Sequence, residues 1–236
     1  MLLEASHITK TYNRKGSFRA LDDVSIKVGE AESVGLIGPS GSGKSSLARI
    51  VAGLEQADSG QVTFQGITRV MGEHSNRSQR RLQRAAWLDM QMVFQNPEAS
   101  FAPFMTIGQA VAEGFAYLPD RGVASPDKRI AEALDLVGLP SSFAKKHAFE
   151  LSGGECQRAA IARAIVGSPA LLICDEPTSA LDVTVQSHVM DVLRHLREDL
   201  GAAFLFVSHD LALVNGFCDR VYRIESGCIV DELVAC

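Results

Sequence analysis

No apolar run in this chain approaches the ~20 residues needed to span a bilayer. Its N-terminus, Met-Leu-Leu-Glu-Ala-Ser-His, has no basic stretch followed by an apolar core, so neither a membrane helix nor a secretory signal is expected. Positive charge is not in excess: 23 Lys and Arg against 28 Asp and Glu leave a net charge of −5, which sets nucleic acid aside as a main partner. Cysteine is sparse. The five (Cys156, Cys174, Cys218, Cys228 and Cys236) are scattered, with no C-x-x-C pair. That spacing predicts reduced thiols rather than a metal site or a disulfide framework. Internal repeats, low-complexity segments and sustained heptads are missing too. What remains is 236 residues at 46% apolar content, enough for one large domain or a core domain with a smaller lobe.

Against this background one segment stands out. Gly38, Pro39, Ser40, Gly41, Ser42, Gly43, Lys44 and Ser45 fit the pattern G-x-x-x-x-G-K-S/T, and Ser46 follows. Val34-Gly-Leu-Ile37 before it reads as a short buried strand, and the apolar spacing from Ser45 to Gly53 reads as a helix. The glycines allow a tight turn that aims several N–H groups at one point. The helix N-terminus adds its dipole, so the site suits phosphate. Lys44 can reach outer phosphates as a mobile charge, and the Ser45 hydroxyl can ligate Mg2+. A flexible Gly/Ser-rich turn is the plain alternative.

A second segment, Leu171-Leu-Ile-Cys-Asp175-Glu176, is an apolar run ending in adjacent carboxylates. Asp175, at the end of a buried strand, suits Mg2+ and its water shell. Glu176 in an extended chain would point the opposite way, toward a water that it could polarise. A plain loop entrance is the competing reading. His209 follows a similar run, Phe204-Leu-Phe-Val207-Ser208. Ligands of parallel sheets bind beyond the carboxyl ends of the strands, which makes His209 a candidate phosphate contact as well as a possible surface or capping residue. His7, His74, His147, His188 and His195 carry no such context.

The remaining pattern predicts two or three strands before residue 33, a turn at Asp58-Ser-Gly60, and a strand at Gln61-Val-Thr-Phe-Gln65. A polar, basic stretch with Arg69, Arg77, Arg80, Arg81 and Arg84 follows, read as a solvated helix face rather than a nucleic-acid surface. Met90 to Phe94 reads as a strand ending at Gln95. Residues 106–139 read as helical with a break near Pro119 to Pro126, and a helix is expected from Ser152. Strands are expected at 170–174 and 203–207 around a helix from Thr184, with a terminal hairpin turning at Ser226-Gly227.

Leu151-Ser152-Gly153-Gly154-Glu155, just before the second apolar run, resembles the signature of the ATP-binding cassette (ABC) family. With the two motifs above, nearly the whole chain is similar to the nucleotide-binding subunit of an ABC transporter. The resemblance implies an α/β fold. It would have a P-loop NTPase core with a mainly parallel sheet, an N-terminal antiparallel β subdomain, and a helical subdomain at about 98–166 inserted in a single 1–236 domain. In family terms Tyr12 would stack on adenine and Gly38 to Ser46 would be the Walker A loop. Gln95 would be the Q-loop glutamine that senses Mg2+ and the membrane partner. Asp175 and Glu176 would be the Walker B pair, Ser179-Ala-Leu-Asp182 the D-loop, and His209 the switch histidine. Ser152, Gly153 and Gly154 would serve ATP bound to a partner cassette, paralogous or identical, so that ATP and Mg2+ are the cofactors. Transmembrane permease subunits, with a periplasmic or extracellular solute-binding protein acting indirectly, would complete the assembly at the cytoplasmic face of the cell membrane.

Glu176-Pro-Thr-Ser-Ala-Leu-Asp-Val-Thr-Val-Gln186 and Met92-Val-Phe-Gln-Asn-Pro97 resemble the peptide/nickel importer ATPases in particular. Ser100-Phe-Ala-Pro-Phe104 departs from the Ser-Leu-Asn-Pro-Arg common there. Glu155-Cys156-Gln157 replaces the usual Gln-Arg-Gln, and Glu155 adds a carboxylate at a phosphate site. The chain stops at Cys236, without the C-terminal extension that many members carry. A soluble non-transport ABC ATPase or an exporter ATPase is the alternative.

Overall fold

The computed structural model describes residues 1–13, 16–71, 77–116 and 125–234. Pro119, His74 and Cys236 lie outside them. In chain order the elements are β1 (Leu3–Asn13), β2 (Ser17–Val28), β3 (Ser33–Ile37), α1 (Lys44–Val51), β4 (Ser59–Phe64), β5 (Ile67–Val70), α2 (Arg77–Trp87) and β6 (Met90–Val93). These are followed by α3 (Ile107–Ala116), α4 (Pro126–Leu136), α5 (Gly153–Ile165), β7 (Leu171–Asp175), α6 (Val183–Leu200), β8 (Ala203–Ser208), α7 (Leu211–Asn215), β9 (Arg220–Glu225) and β10 (Cys228–Val234). Two compact units result: Met1–Met90 with Ala203–Cys236, and Gln91–Ala202.

The first unit holds an antiparallel sheet in the order β2-β1-β4-β5 and the strand series β10-β9-β3-β8. Every residue of β3 and β8 is buried, as expected of strands covered on both faces, and β3 runs parallel to β8 and β9. In β2, Val24, Ile26 and Val28 alternate inward with exposed neighbours, the period of a strand with one wet face. Phe204 and Phe206 pack on Phe217, with ring centroids 5.2 Å apart in each pair.

Two expectations are corrected in this unit. The turn expected at Asp58-Ser-Gly60 is already partly strand, because Ser59 and Gly60 belong to β4. Asp58 fastens the segment to β1: its N–H donates to the Thr9 carbonyl (2.8 Å) and its carboxylate accepts from the Thr11 N–H (2.7 Å). Nor is the basic stretch one solvated helix face. Arg80, Arg81 and Arg84 are exposed on α2, but Arg69 lies on β5. Its guanidinium donates to the Ile50 carbonyl and sits 5.1 Å from the Trp87 ring centroid, and burial lowers its pKa.

In the second unit β7 lies beside β6, and α5 packs against α3, α4 and α6. Ala159, Ala160, Ala162 and Ala164 are all buried on α5; their small side chains permit close helix approach. Pro126 opens α4, where its missing N–H is no loss.

Candidate nucleotide site

The phosphate loop belongs to the first unit and leaves the carboxyl end of β3. Ile37 is in register with Ser208 of β8, so Gly38 and His209 leave neighbouring parallel strands at the same edge. Pro39, Ser40 and Gly41 are exposed, while Ser42 and Lys44 are buried. Lys44 is only 4% exposed, and its ammonium donates to the carbonyls of Gly38 (2.7 Å) and Pro39 (2.9 Å). Gly43 has φ 108°, and a Cβ there would fall on the Ala20 carbonyl and Leu21; no other residue fits that turn. Ser45 and Ser46 stand in the first turn of α1. The Ser42 hydroxyl oxygen is buried with no hydrogen-bond partner.

Tyr12, on β1, reaches this loop. Its hydroxyl lies 3.1 Å from Ser46 Oγ, and the Lys10 ammonium is 5.2 Å from its ring centroid. Burial raises its pKa, and Glu55 adds to the rise. The ring is half-buried, anchored at its polar tip with part of its surface open. His209 is exposed, and the neighbouring Ser208 hydroxyl accepts from the Asp210 N–H at 3.0 Å.

In the second unit Asp175 ends β7 and is 2% exposed. Glu176 corrects the extended-chain expectation. Its φ is 46°, so the chain turns at once instead of alternating onward. The turn closes when the Ser179 N–H donates to the Glu176 carbonyl at 3.3 Å. Gln95, just beyond β6, donates from Nε2 to Glu176 Oε2 and to Ser179 Oγ, each at 3.1 Å. The two candidate hydrolytic residues of this unit are therefore bonded directly to each other, and Gln95 also holds Ser179, a side chain with no separate role in the sequence pattern.

Ser152 is the N-cap of α5, and Ser152 and Gly153 are exposed while Gly154 is buried. The Glu155 carboxylate accepts from the Ser152 N–H and hydroxyl, both at 2.8 Å, and Ser152 Oγ accepts from the Glu155 N–H at 3.4 Å. This is a reciprocal capping box, legible as Ser-x-x-Glu before an apolar run. The Ser152 N–H first, then the hydroxyl, lowers the Glu155 pKa. Asp182 caps α6 in turn, accepting from the Val185 N–H at 3.0 Å.

The loop residues fit a nucleotide phosphate. The unpartnered Ser42 hydroxyl, the buried Lys44 ammonium and the N-terminus of α1 are donors gathered at one helix start. Among the described residues no cluster of three or more His, Cys, Asp or Glu side chains is placed to hold a metal by itself.

Loop and fold define a P-loop α/β protein. The family model described as ABC transporter matches residues 21–179, and the chain belongs to that family. It is 39% identical over 90% of its length to the oligopeptide transport ATP-binding protein OppF of Lactococcus lactis, spanning 65% of that relative. It is 38% identical over 98% of its length to the nickel import ATP-binding protein NikE of Pseudomonas putida, covering 85% of it. Among solved structures, the dimeric ATP-binding cassette MJ0796 bound to ADP and Pi matches with a TM-score of 0.84 and 28% identity, over 100% of this chain and 99% of that one.

Proposed function

We propose that this chain is the ATP-binding and ATP-hydrolysing subunit that energises a membrane ABC transporter, an importer of peptides, nickel or related small solutes. The observation that carries the reading is the loop from Gly38 to Ser46, with a buried lysine and an unpartnered buried serine hydroxyl at the start of α1. The peptide and nickel import relatives support the direction and solute class. No described helix is long and apolar enough to cross a membrane.

Each residue then has a task. The N–H groups of the loop and Lys44 bind and orient phosphate, while Tyr12 supports the base of the nucleotide. Ser45, Asp175 and Gln95 offer oxygens suited to Mg2+, which when bound offsets phosphate charge. Glu176 accepts a proton from the attacking water, and His209 holds the terminal phosphate. Ser152, Gly153, Gly154 and Asp182 serve the nucleotide of a second cassette, paralogous or identical. That pair drives permease subunits from the cytoplasmic face of the membrane, with a solute-binding protein delivering the solute outside.

Glu176→Gln tests the hydrolytic part. It keeps shape and loses the accepting charge, so turnover is expected to fall ~10²-fold or more while ATP binding stays. Near-normal turnover overturns the assignment. Co-purification with permease subunits, followed by ATPase assays with peptides or Ni2+, tests the solute class; stimulation by neither removes it.

A further inference from the structure

Ser179 takes part in a closed ring of hydrogen bonds that the tasks above do not use. Gln95 Nε2 donates to Glu176 Oε2 and to Ser179 Oγ, each at 3.1 Å. Ser179 Oγ donates in turn to the Glu176 carbonyl at 3.2 Å, the same oxygen that accepts the Ser179 N–H. One hydroxyl therefore touches both the backbone of Glu176 and the amide that contacts its carboxylate.

The backbone needs such a tie. Glu176 is a non-glycine residue at φ 46°, a left-handed conformation that surrounding contacts must hold. Pro177 and Thr178 are buried and anchor the middle of the turn, whereas Gln95 and Ser179 are exposed. Water competes for both exposed groups, so without the hydroxyl the Gln95 amide and the Glu176 carbonyl each lose a fixed partner.

We propose that the Ser179 hydroxyl is a positioning group for hydrolysis: it holds the Glu176 backbone in its left-handed turn and aligns the Gln95 amide on the Glu176 carboxylate. It acts through Glu176, and the proposal rests on the reading of Glu176 as the group that accepts the proton from water. A small displacement of such a group slows the chemical step without weakening nucleotide binding.

The test measures kcat, KM for ATP, equilibrium ATP binding and thermal unfolding for Ser179→Ala and Ser179→Thr in the full chain, with Glu176→Gln alongside. Ser179→Ala is expected to lower kcat on the order of tenfold with KM and ATP binding unchanged and the unfolding temperature lowered only slightly, as for the loss of one exposed hydrogen bond. Ser179→Thr keeps the hydroxyl at this exposed position, so it should restore most of the rate. Added to Glu176→Gln, Ser179→Ala should leave Mg-ATP-dependent pairing as it was. An unchanged kcat in Ser179→Ala while Glu176→Gln abolishes turnover overturns the Ser179 role alone. Failure of Ser179→Thr to restore the rate removes the hydroxyl from it. Loss of pairing assigns Ser179 to the subunit contact instead. Normal turnover in Glu176→Gln overturns the base assignment, and this proposal with it.

Discussion

Lys44 shows what a residue must have around it to be both charged and buried. An ammonium taken out of water is destabilising unless hydrogen bonds replace its hydration, and the Gly38 and Pro39 carbonyls do so. These partners belong to the loop itself, so the lysine stays poised over the turn that would cradle phosphate. Lys44→Ala is expected to reduce ATP affinity itself by at least about tenfold, since a hydrogen bond to a charged group is worth ~1.5–3 kcal/mol. Equilibrium binding of labelled ATP decides the matter; unchanged affinity with lost turnover would confine Lys44 to the transition state. Cys156, in the first turn of α5, has a different fate. Burial first, then Glu98, pushes its thiol up to about 11, so it is inert packing at neutral pH.

At the scale of elements, the start of α5 serves two purposes. The capping box satisfies donors at the helix N-terminus, and Gly154 brings that terminus against Val185 of α6. A Cβ at Gly154 would overlap the Val185 Cγ1 methyl, whereas one at Gly153 meets only Leu181 Cδ2 at 3.6 Å. Valine is stiff at χ1 and cannot swing away freely. Gly154→Ala should therefore destabilise the protein by ~1–3 kcal/mol, while Gly153→Ala should be nearly neutral. Urea unfolding of the two variants checks the contrast, and equal stabilities would deny the contact its role. The box also responds to pH in a definite sense. Because the Glu155 pKa is depressed in the folded chain, its stabilisation is full above the ordinary carboxylate range. It is lost as pH falls through the lowered value, so the first turn of α5 loosens in acid and not near neutrality.

For the whole molecule the question is association. The donors at Ser152 and Gly153 are exposed, and the Ser152 N–H and hydroxyl already hold the Glu155 carboxylate. A phosphate from a second cassette would have to displace that carboxylate against like charge. The isolated chain is therefore expected to be a monomer that pairs weakly with itself under Mg-ATP and more firmly with a paralogous cassette. Light scattering on the Glu176→Gln chain with and without Mg-ATP measures this. Adding Glu155→Gln, which removes the competing charge, should strengthen ATP-dependent self-pairing. Self-association that is firm from the start and indifferent to Glu155→Gln would defeat the weak-site account.

The amino-acid sequence alone determined the features that depend on near neighbours. The strand–loop–helix around Gly38 to Ser46, the apolar runs of β7 and β8 and the Ser152 cap follow from local backbone preferences and from periodicity over a few residues. Asp175 at a strand end and His209 just past another were legible for the same reason. Other features depend on groups brought together from distant parts of the chain. Glu176 was expected to continue an extended strand, yet its carboxylate meets Gln95, 81 positions away in the chain, and its backbone turns left-handed. Tyr12 meets Ser46 across 34 positions, and Asp58 joins β1 across 47. Arg69 leaves the solvated face for the Trp87 ring. Such pairs carry no signal in a local window. They exist because packing the sheets and helices lowers the free energy of the chain as a whole, and the tertiary structure alone decides which side chains then meet.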